Sequence, residues 1–223
     1  MAAVFITATG TEIGKTFVAT GLIEVLRRRG RNVAALKPVV SGFNPQASGE
    51  SDPAVLLRAL GRLPSDAAIA EIAPWRFYAP LSPDMAAARE ARPIDFAALA
   101  AFCHAGIEAA EDVLLIEGIG GLMVPLGAQT TVLDLIDTLR IPMILVAGTY
   151  IGTLSHVLTA FEVATNRGLA IAALVLNETP GSPMPPEPTR ASLTNFCGEV
   201  PILTLTRGSD NAATFEALAD LLA

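Results

Sequence analysis

The chain has 223 residues, a length that suits one large domain, since single cores grow to about 250 residues before chains divide. Its formal charge of −7 argues against nucleic acid as a principal partner, because neutralising phosphates needs a basic face. Just over half the residues are hydrophobic, yet no apolar run approaches the roughly 18 residues of a membrane span. The start of the chain lacks a signal peptide's charged and apolar regions, so a cytoplasmic protein is expected. Cys103 and Cys197 stand far apart without a C-x-x-C and read as free buried thiols.

Ala3 to Ile6 is short, apolar and strand-forming. It leads into Thr7-Ala8-Thr9-Gly10-Thr11-Glu12-Ile13-Gly14-Lys15-Thr16, and Phe17 onward has helical spacing. A strand, a small-residue loop and a helix opening on Gly-Lys-Thr form the setting of a phosphate-binding loop. Glycine lets backbone N–H groups close around phosphate oxygens, and the helix N-terminus adds free donors and a favourable dipole. Lys15 would reach the terminal phosphates and the Thr16 hydroxyl would ligate Mg²⁺. The strict G-x-x-x-x-G-K-[ST] pattern wants glycine at position 9, where this chain has Thr9.

The first helix should run to Arg27-Arg28-Arg29 and stop at Gly30. Asn32 to Lys37 reads as a second strand, and Phe43 to Ser51 as a mobile polar loop. Asp52 before Pro53 reads as an N-cap with proline at the first helical position. A short helix is expected around Met85 to Glu90, and another from Asp95 to about Ala110. Val113 to Glu117 is an apolar strand ending in a carboxylate, followed by Gly118-Ile119-Gly120-Gly121. A carboxylate at the end of a buried strand is costly unless something binds it, and in a nucleotide-binding sheet that is Mg²⁺ or its water shell.

Helix over Thr130 to Arg140, strand over Pro142 to Ala147, and a small-residue loop from Gly148 opening a helix through Ala164 follow. Ala170 to Leu176 is a strand ending at Asn177, Glu178 to Thr189 a proline-rich loop, then a helix, a strand over Pro201 to Leu205 and a final helix from about Asp210. This alternation predicts an α/β fold of the P-loop NTPase type, a mainly parallel sheet with helices on both faces in a single domain over residues 1–223. Ligands bind beyond the C-terminal ends of such strands, where Lys15, Lys37, Glu117, Gly152 and Asn177 fall.

The whole chain resembles the dethiobiotin synthetase family. The resemblance is carried by Thr9 to Thr16, Lys37-Pro38-Val39-Val40-Ser41-Gly42 and Glu117 to Gly121, with Gly152 to His156 and Gly198 to Pro201 in support. The family loop has five residues between its glycines, so its earlier glycine would fall at position 8, where this chain has Ala8. Alanine there is harmless at negative φ and costly at positive φ.

The resemblance implies an ATP-dependent cyclo-ligase that carboxylates 7,8-diaminopelargonate with CO₂ and closes a urea ring, releasing ADP and phosphate. It implies that Lys15, Lys37, Thr11 and Glu12 serve catalysis, and that Thr16, Asp52 and Glu117 hold Mg²⁺. Gly14, Lys15, Thr16, Glu117, Asn177, Pro201 and Asp210 would bind ATP. Thr11, Glu12, Lys37 and Ser41 would face the diamine and carbamate. Gly152, Thr153 and Ser155 would face the substrate carboxylate of a neighbouring subunit, which implies a homodimer.

A septum-site or partition-type switch ATPase is the alternative on the same fold. Those proteins carry an additional lysine early in the phosphate loop, and positions 8 to 14 hold none. Their basic membrane-binding terminal helix also contrasts with the acidic stretch from Asp210.

Overall fold

A computed structural model of the chain describes residues 2–222. Strand β1 (Ala2–Ala8) lies between β5 (Val113–Glu117) and β6 (Met143–Gly148). Outside β5 lies β2 (Val33–Leu36); outside β6 lie β7 (Ile171–Asn177) and β8 (Ile202–Leu205). The sheet order is therefore β2-β5-β1-β6-β7-β8, with every ladder parallel. Val4 to Ile6, Val113 to Ile116 and Ile144 to Val146 are buried, as their unbroken apolar runs require of strands covered on both faces.

Helix α1 (Lys15–Arg28) leads from β1 outward to β2, whereas α7 (Thr153–Asn166) and α8 (Pro186–Thr194) lead from β6 to β7 and from β7 to β8, the opposite way. Right-handed crossovers in opposite directions put their helices on opposite faces of the sheet. The packing agrees. Against α1 lie α2 (Asp52–Ala59) and α9 (Ala212–Asp220), while α5 (Phe96–Ala109) packs on α6 (Val132–Leu139) and α7 on α8. Because all six strands point one way, the chain's strand-to-loop junctions at Ala8, Leu36, Glu117, Gly148 and Asn177 share one edge.

Several boundaries differ from the sequence expectation. Ser51, not Asp52, is the N-cap of α2; Asp52 is its first helical residue, and its carboxylate pairs with Lys37. The stretch expected as a mobile loop holds a 3₁₀ turn, Pro45–Glu50, whose N-cap Asn44 accepts from the N–H of Gln46. Helix α3 (Asp66–Ile72) and a two-residue parallel pair, β3 (Val39–Val40) with β4 (Trp75–Arg76), were not anticipated. Helix α4 (Pro83–Arg89) falls where a short helix was expected, but α8 begins at Pro186, inside the segment read as loop. Both cysteines are free and buried, and burial pushes the Cys103 thiol up to about 12. No helix among the described residues is long and apolar enough to cross a membrane.

Gly21 explains how α9 docks on α1. A Cβ there would fall 2.3 Å from the Phe215 ring, which also stacks edge-on against Phe17 at 5.8 Å. Gly21→Ala gains up to about 1 kcal/mol of helix propensity but overpacks a closed contact at a cost of about 1–3 kcal/mol. The variant is therefore expected to unfold at lower urea concentration than the parent. A raised midpoint would show that Phe215 moves aside freely.

Candidate active site

The phosphate loop leaves β1 at Ala8, whose carbonyl accepts from the N–H of Leu122 at 2.8 Å, and the next N–H, of Thr9, bonds to the Val146 carbonyl at 2.9 Å. Among the described residues the left-handed non-glycines are Glu12, Ala91 and Arg140, so Ala8 meets no backbone strain. Gly14 is different. It has φ 104°, and a Cβ there would lie 2.2 Å from Asn177 Nδ2. That amide donates to the Ile13 carbonyl at 2.8 Å, tying the end of β7 to the loop. Gly121 also presses on the loop, since its Cβ would lie 3.2 Å from the Gly10 nitrogen.

Lys15 opens α1 and is buried; its ammonium donates to the carbonyls of Gly120 at 2.8 Å and Gly10 at 3.2 Å. Burial, then the neighbouring Lys37 charge, lowers its pKa to about 8, against the opposing pull of Glu117 and Asp52. A lysine bonded only to carbonyls is held at the loop mouth without a counter-charge in contact, ready for an anion.

Lys37 follows β2 and is almost fully enclosed. Its ammonium contacts Glu117 Oε1 at 2.5 Å, the Gly118 carbonyl at 2.9 Å and Asp52 Oδ2 at 3.2 Å. Burial alone would pull the ammonium down, but the charges and hydrogen bonds of Glu117 and Asp52 outweigh it and hold it above the ordinary lysine range. Glu117 Oε1 also accepts from the Thr16 hydroxyl at 2.8 Å. Its other oxygen, Oε2, is buried with no partner, which is costly for a carboxylate.

An orphaned carboxylate oxygen beside a hydroxyl and a second carboxylate is a donor set that fits Mg²⁺, which prefers oxygen and keeps several waters and phosphate oxygens of its own. The set is sparse: no group of three or more His, Cys, Asp or Glu suited to a metal occurs among the described residues.

Two clefts meet at this loop. One, of about 410 Å³, is lined by Thr11, Glu12, Lys15, Lys37, Ser41 and Asp52, together with Thr16 and Glu117. The other, of about 460 Å³, lies between Phe17 and Asn177 and is floored by Leu205, Thr206 and Arg207. Glu12 and Gly14 border both, so the phosphate loop separates them.

Two residues expected to bind the nucleotide line neither cleft. Pro201 sits at the opposite end of β8 from the cleft, and its carbonyl accepts from the Leu174 N–H at 2.9 Å within the sheet. Asp210 caps the approach to α9, accepting from the Ala212 N–H at 2.9 Å, and does not line the cleft. Thr206, Arg207 and Asn211 stand there instead; Asn211 pins the loop by bonding both the N–H and the carbonyl of Thr206.

Gly152, Thr153 and Ser155 lie outside both clefts. Gly152, with φ 98°, caps α7, and Ser155 is exposed in its first turn. Thr153 is buried, its hydroxyl donating to the Gly148 carbonyl and its N–H to the Tyr150 carbonyl, so its polar groups serve its own loop.

Residues 2–207 match a protein family described as an AAA domain. The chain is 52% identical to the ATP-dependent dethiobiotin synthetase BioD of Acidiphilium cryptum over 88% of this chain and 89% of that protein. It is 44% identical to the protein of the same name from Methylobacterium nodulans, over 93% and 94%. Among solved structures, the cell division ATPase MinD of Pyrococcus furiosus aligns with a TM-score of 0.55 and 19% identity over 99% of this chain and 98% of that one. MinD of Pyrococcus horikoshii, complexed with Mg-ADP, aligns with a TM-score of 0.55 and 18% identity over 98% and 95%. At those identities the two MinD structures share its fold, whereas the sequence relatives, 44–52% identical over 88–94% of each chain, place this chain in the dethiobiotin synthetase family.

Proposed function

We propose that this protein is an ATP- and Mg²⁺-dependent dethiobiotin synthase, acting in the cytoplasm as a homodimer of one-domain subunits. The observation that carries the reading is Lys37, delivered from β2 into the same cleft as the phosphate-loop Lys15. A nucleotide switch needs the loop lysine; a second ammonium at the loop mouth suits a reaction in which two anions must meet.

The chemistry runs in three steps. One amine of 7,8-diaminopelargonate adds to CO₂, losing a proton and forming a carbamate. A carbamate oxygen attacks the γ-phosphorus of ATP, expelling ADP and leaving a mixed carbamic–phosphoric anhydride. The second amine attacks the carbonyl carbon, phosphate departs and a five-membered urea ring closes.

Lys15 and Lys37 offset the charge of carbamate and γ-phosphate as they approach. Glu12, exposed at the cleft rim, accepts the second amine as its ammonium, and Thr11 and Ser41 orient the carbamate. Thr16, Asp52 and Glu117 hold Mg²⁺, which lowers the charge on the phosphates when bound. Asn177 and the Leu205 to Arg207 backbone border the space for adenine. Incubation with the diamine, bicarbonate, Mg²⁺ and ATP should yield a product of dethiobiotin mass. ATP hydrolysis without that product would favour a switch ATPase.

Gly152 and Ser155 support the dimer: they sit outside the clefts of their own chain and present a helix start suited to a carboxylate held by a second copy. Neither Lys15→Ala nor Ser155→Trp should be active alone. Mixed and allowed to exchange subunits, they should recover about a quarter of parental activity, because half the dimers are mixed and each has one intact site. No recovery after exchange is verified would place the whole site within one chain.

A further inference from the structure

Three of the four residues after β5 are glycines, and the fourth is Ile119, so a single side chain stands in this segment. Its place is set from both sides. The Gly118 carbonyl accepts from the Lys37 ammonium at 2.9 Å, and the Gly120 carbonyl accepts from the Lys15 ammonium at 2.8 Å. Ile119 therefore stands between the anchors of the two cations and borders the cleft they share.

Val40 borders the same cleft from β3. Side chains alternate along a strand, and β3 does so here. Val39 turns to an apolar space lined by Phe5, Leu126 and Leu135, while Val40 turns to the cleft. The Val40 carbonyl accepts from the Phe77 N–H at 2.9 Å, which pins the residue. Val40 is buried; Ile119 is half-buried and reaches both spaces. Every other residue bordering the cleft is polar, charged or glycine. Phosphoryl transfer has no use for two branched aliphatic side chains, and only an apolar group covers them favourably.

The substrate carries one such group. In 7,8-diaminopelargonate the amines sit on carbons 7 and 8 of a nine-carbon acid. Carbon 9 is therefore a methyl on the carbon bearing the terminal amine, and the acid-bearing chain leaves from carbon 7. The methyl has to enter the cleft together with the amine beside it.

We propose that Ile119 and Val40 form the subsite for this methyl and set the preference for a diamine that carries it. The inference rests on the synthase reading above and extends it to a part of the substrate that does not react. Lys15 and Lys37 answer only to the charge of carbamate and phosphate, which every vicinal diamine would supply. The apolar pair distinguishes among such diamines by what lies beyond the second amine.

The test compares the diamino acid with 7,8-diaminooctanoate, which keeps both amines and the acid and lacks only the methyl. Each is measured as ring-closed product. The unaltered protein must first convert the nine-carbon acid; if it does not, the synthase reading itself has failed. It should then favour that acid over the shorter one by about ten-fold in kcat/KM, the discrimination one methylene gives in an apolar pocket. Ile119→Ala should cut the preference to about three-fold, since it removes part of the apolar cover and leaves Val40. Ile119→Val, which keeps the branch, should retain most of it, and Val40→Ala should lower it. The preference is a ratio taken within one protein sample, so any lost folded fraction cancels from it. Equal use of the two acids by the unaltered protein would overturn the proposal. So would a preference that survives both alanine substitutions while the two rates fall together, because Ile119 and Val40 would then only close the wall of the cleft.

Discussion

Lys37→Met should lower the free energy of unfolding by about 3–5 kcal/mol, the usual cost of breaking a buried ion pair from one side. The cause is Glu117, which is enclosed and already has one oxygen without a partner. Removing the ammonium leaves it only the Thr16 hydroxyl. Asp52 is half exposed and can turn to water, so it adds little to the loss. A urea titration reads the effect. A loss below about 1 kcal/mol would mean that water reaches Glu117 as soon as the lysine is gone.

The same variant, assayed where it remains folded, should lose about 10²–10³ in kcat, the scale of one preorganised charge facing a transition state. Affinity for the diamine should be unchanged or slightly better, because a free diamine is cationic and the lysine repels it. Glu12→Ala should show the reverse balance, with weaker diamine binding, and titration calorimetry with the diamine separates the two. A Lys37 variant that binds diamine far more weakly yet turns over normally at saturation would assign Lys37 to ground-state binding.

Lys15→Ala is the second large effect. Its ammonium bonds only to the Gly10 and Gly120 carbonyls, so the variant should fold with nearly parental stability. ATP affinity should fall by about 1.5–3 kcal/mol, the worth of a hydrogen bond to a charged group, and turnover should vanish. Binding of a nucleotide without a γ-phosphate should suffer less. Near-normal turnover would remove Lys15 from the site.

Where the chain's local pattern and its tertiary role coincide, the fold was legible. Val113 to Glu117 is an unbroken apolar run ending in an acid, and it is β5 to the residue. The phosphate loop announced itself by a strand before it and a helix after it, and Lys37 by directly following β2. The failures have separate causes. Strands β3 and β4 are two residues each and come from segments about 35 positions apart, so no local period marks them. Proline density concealed the first turn of α8, although proline is well tolerated in a first helical turn.

Ser51, Asp52 and Pro53 contain two adjacent cap formers, and only the Lys37 contact decides which one lies inside the helix. The Pro201 expectation came from the resemblance alone, and the structure puts Pro201 before β8, at the end of the sheet opposite the two clefts.

The strand order has a consequence for how such proteins diverge. Lys37, to which the proposal gives the acceptor chemistry, follows β2 at one margin of the sheet, and the cleft between Phe17 and Asn177 is finished by the residues after β8 at the other. Between them stand β5, β1, β6 and β7, whose side chains are locked by burial. On the proposed reading, insertions or exchanges after β8 would alter which nucleotide enters without disturbing the acceptor chemistry, and changes around β2 would replace the acceptor while the nucleotide stays the same. A lineage can retool either margin alone, and only the central loop must be inherited intact.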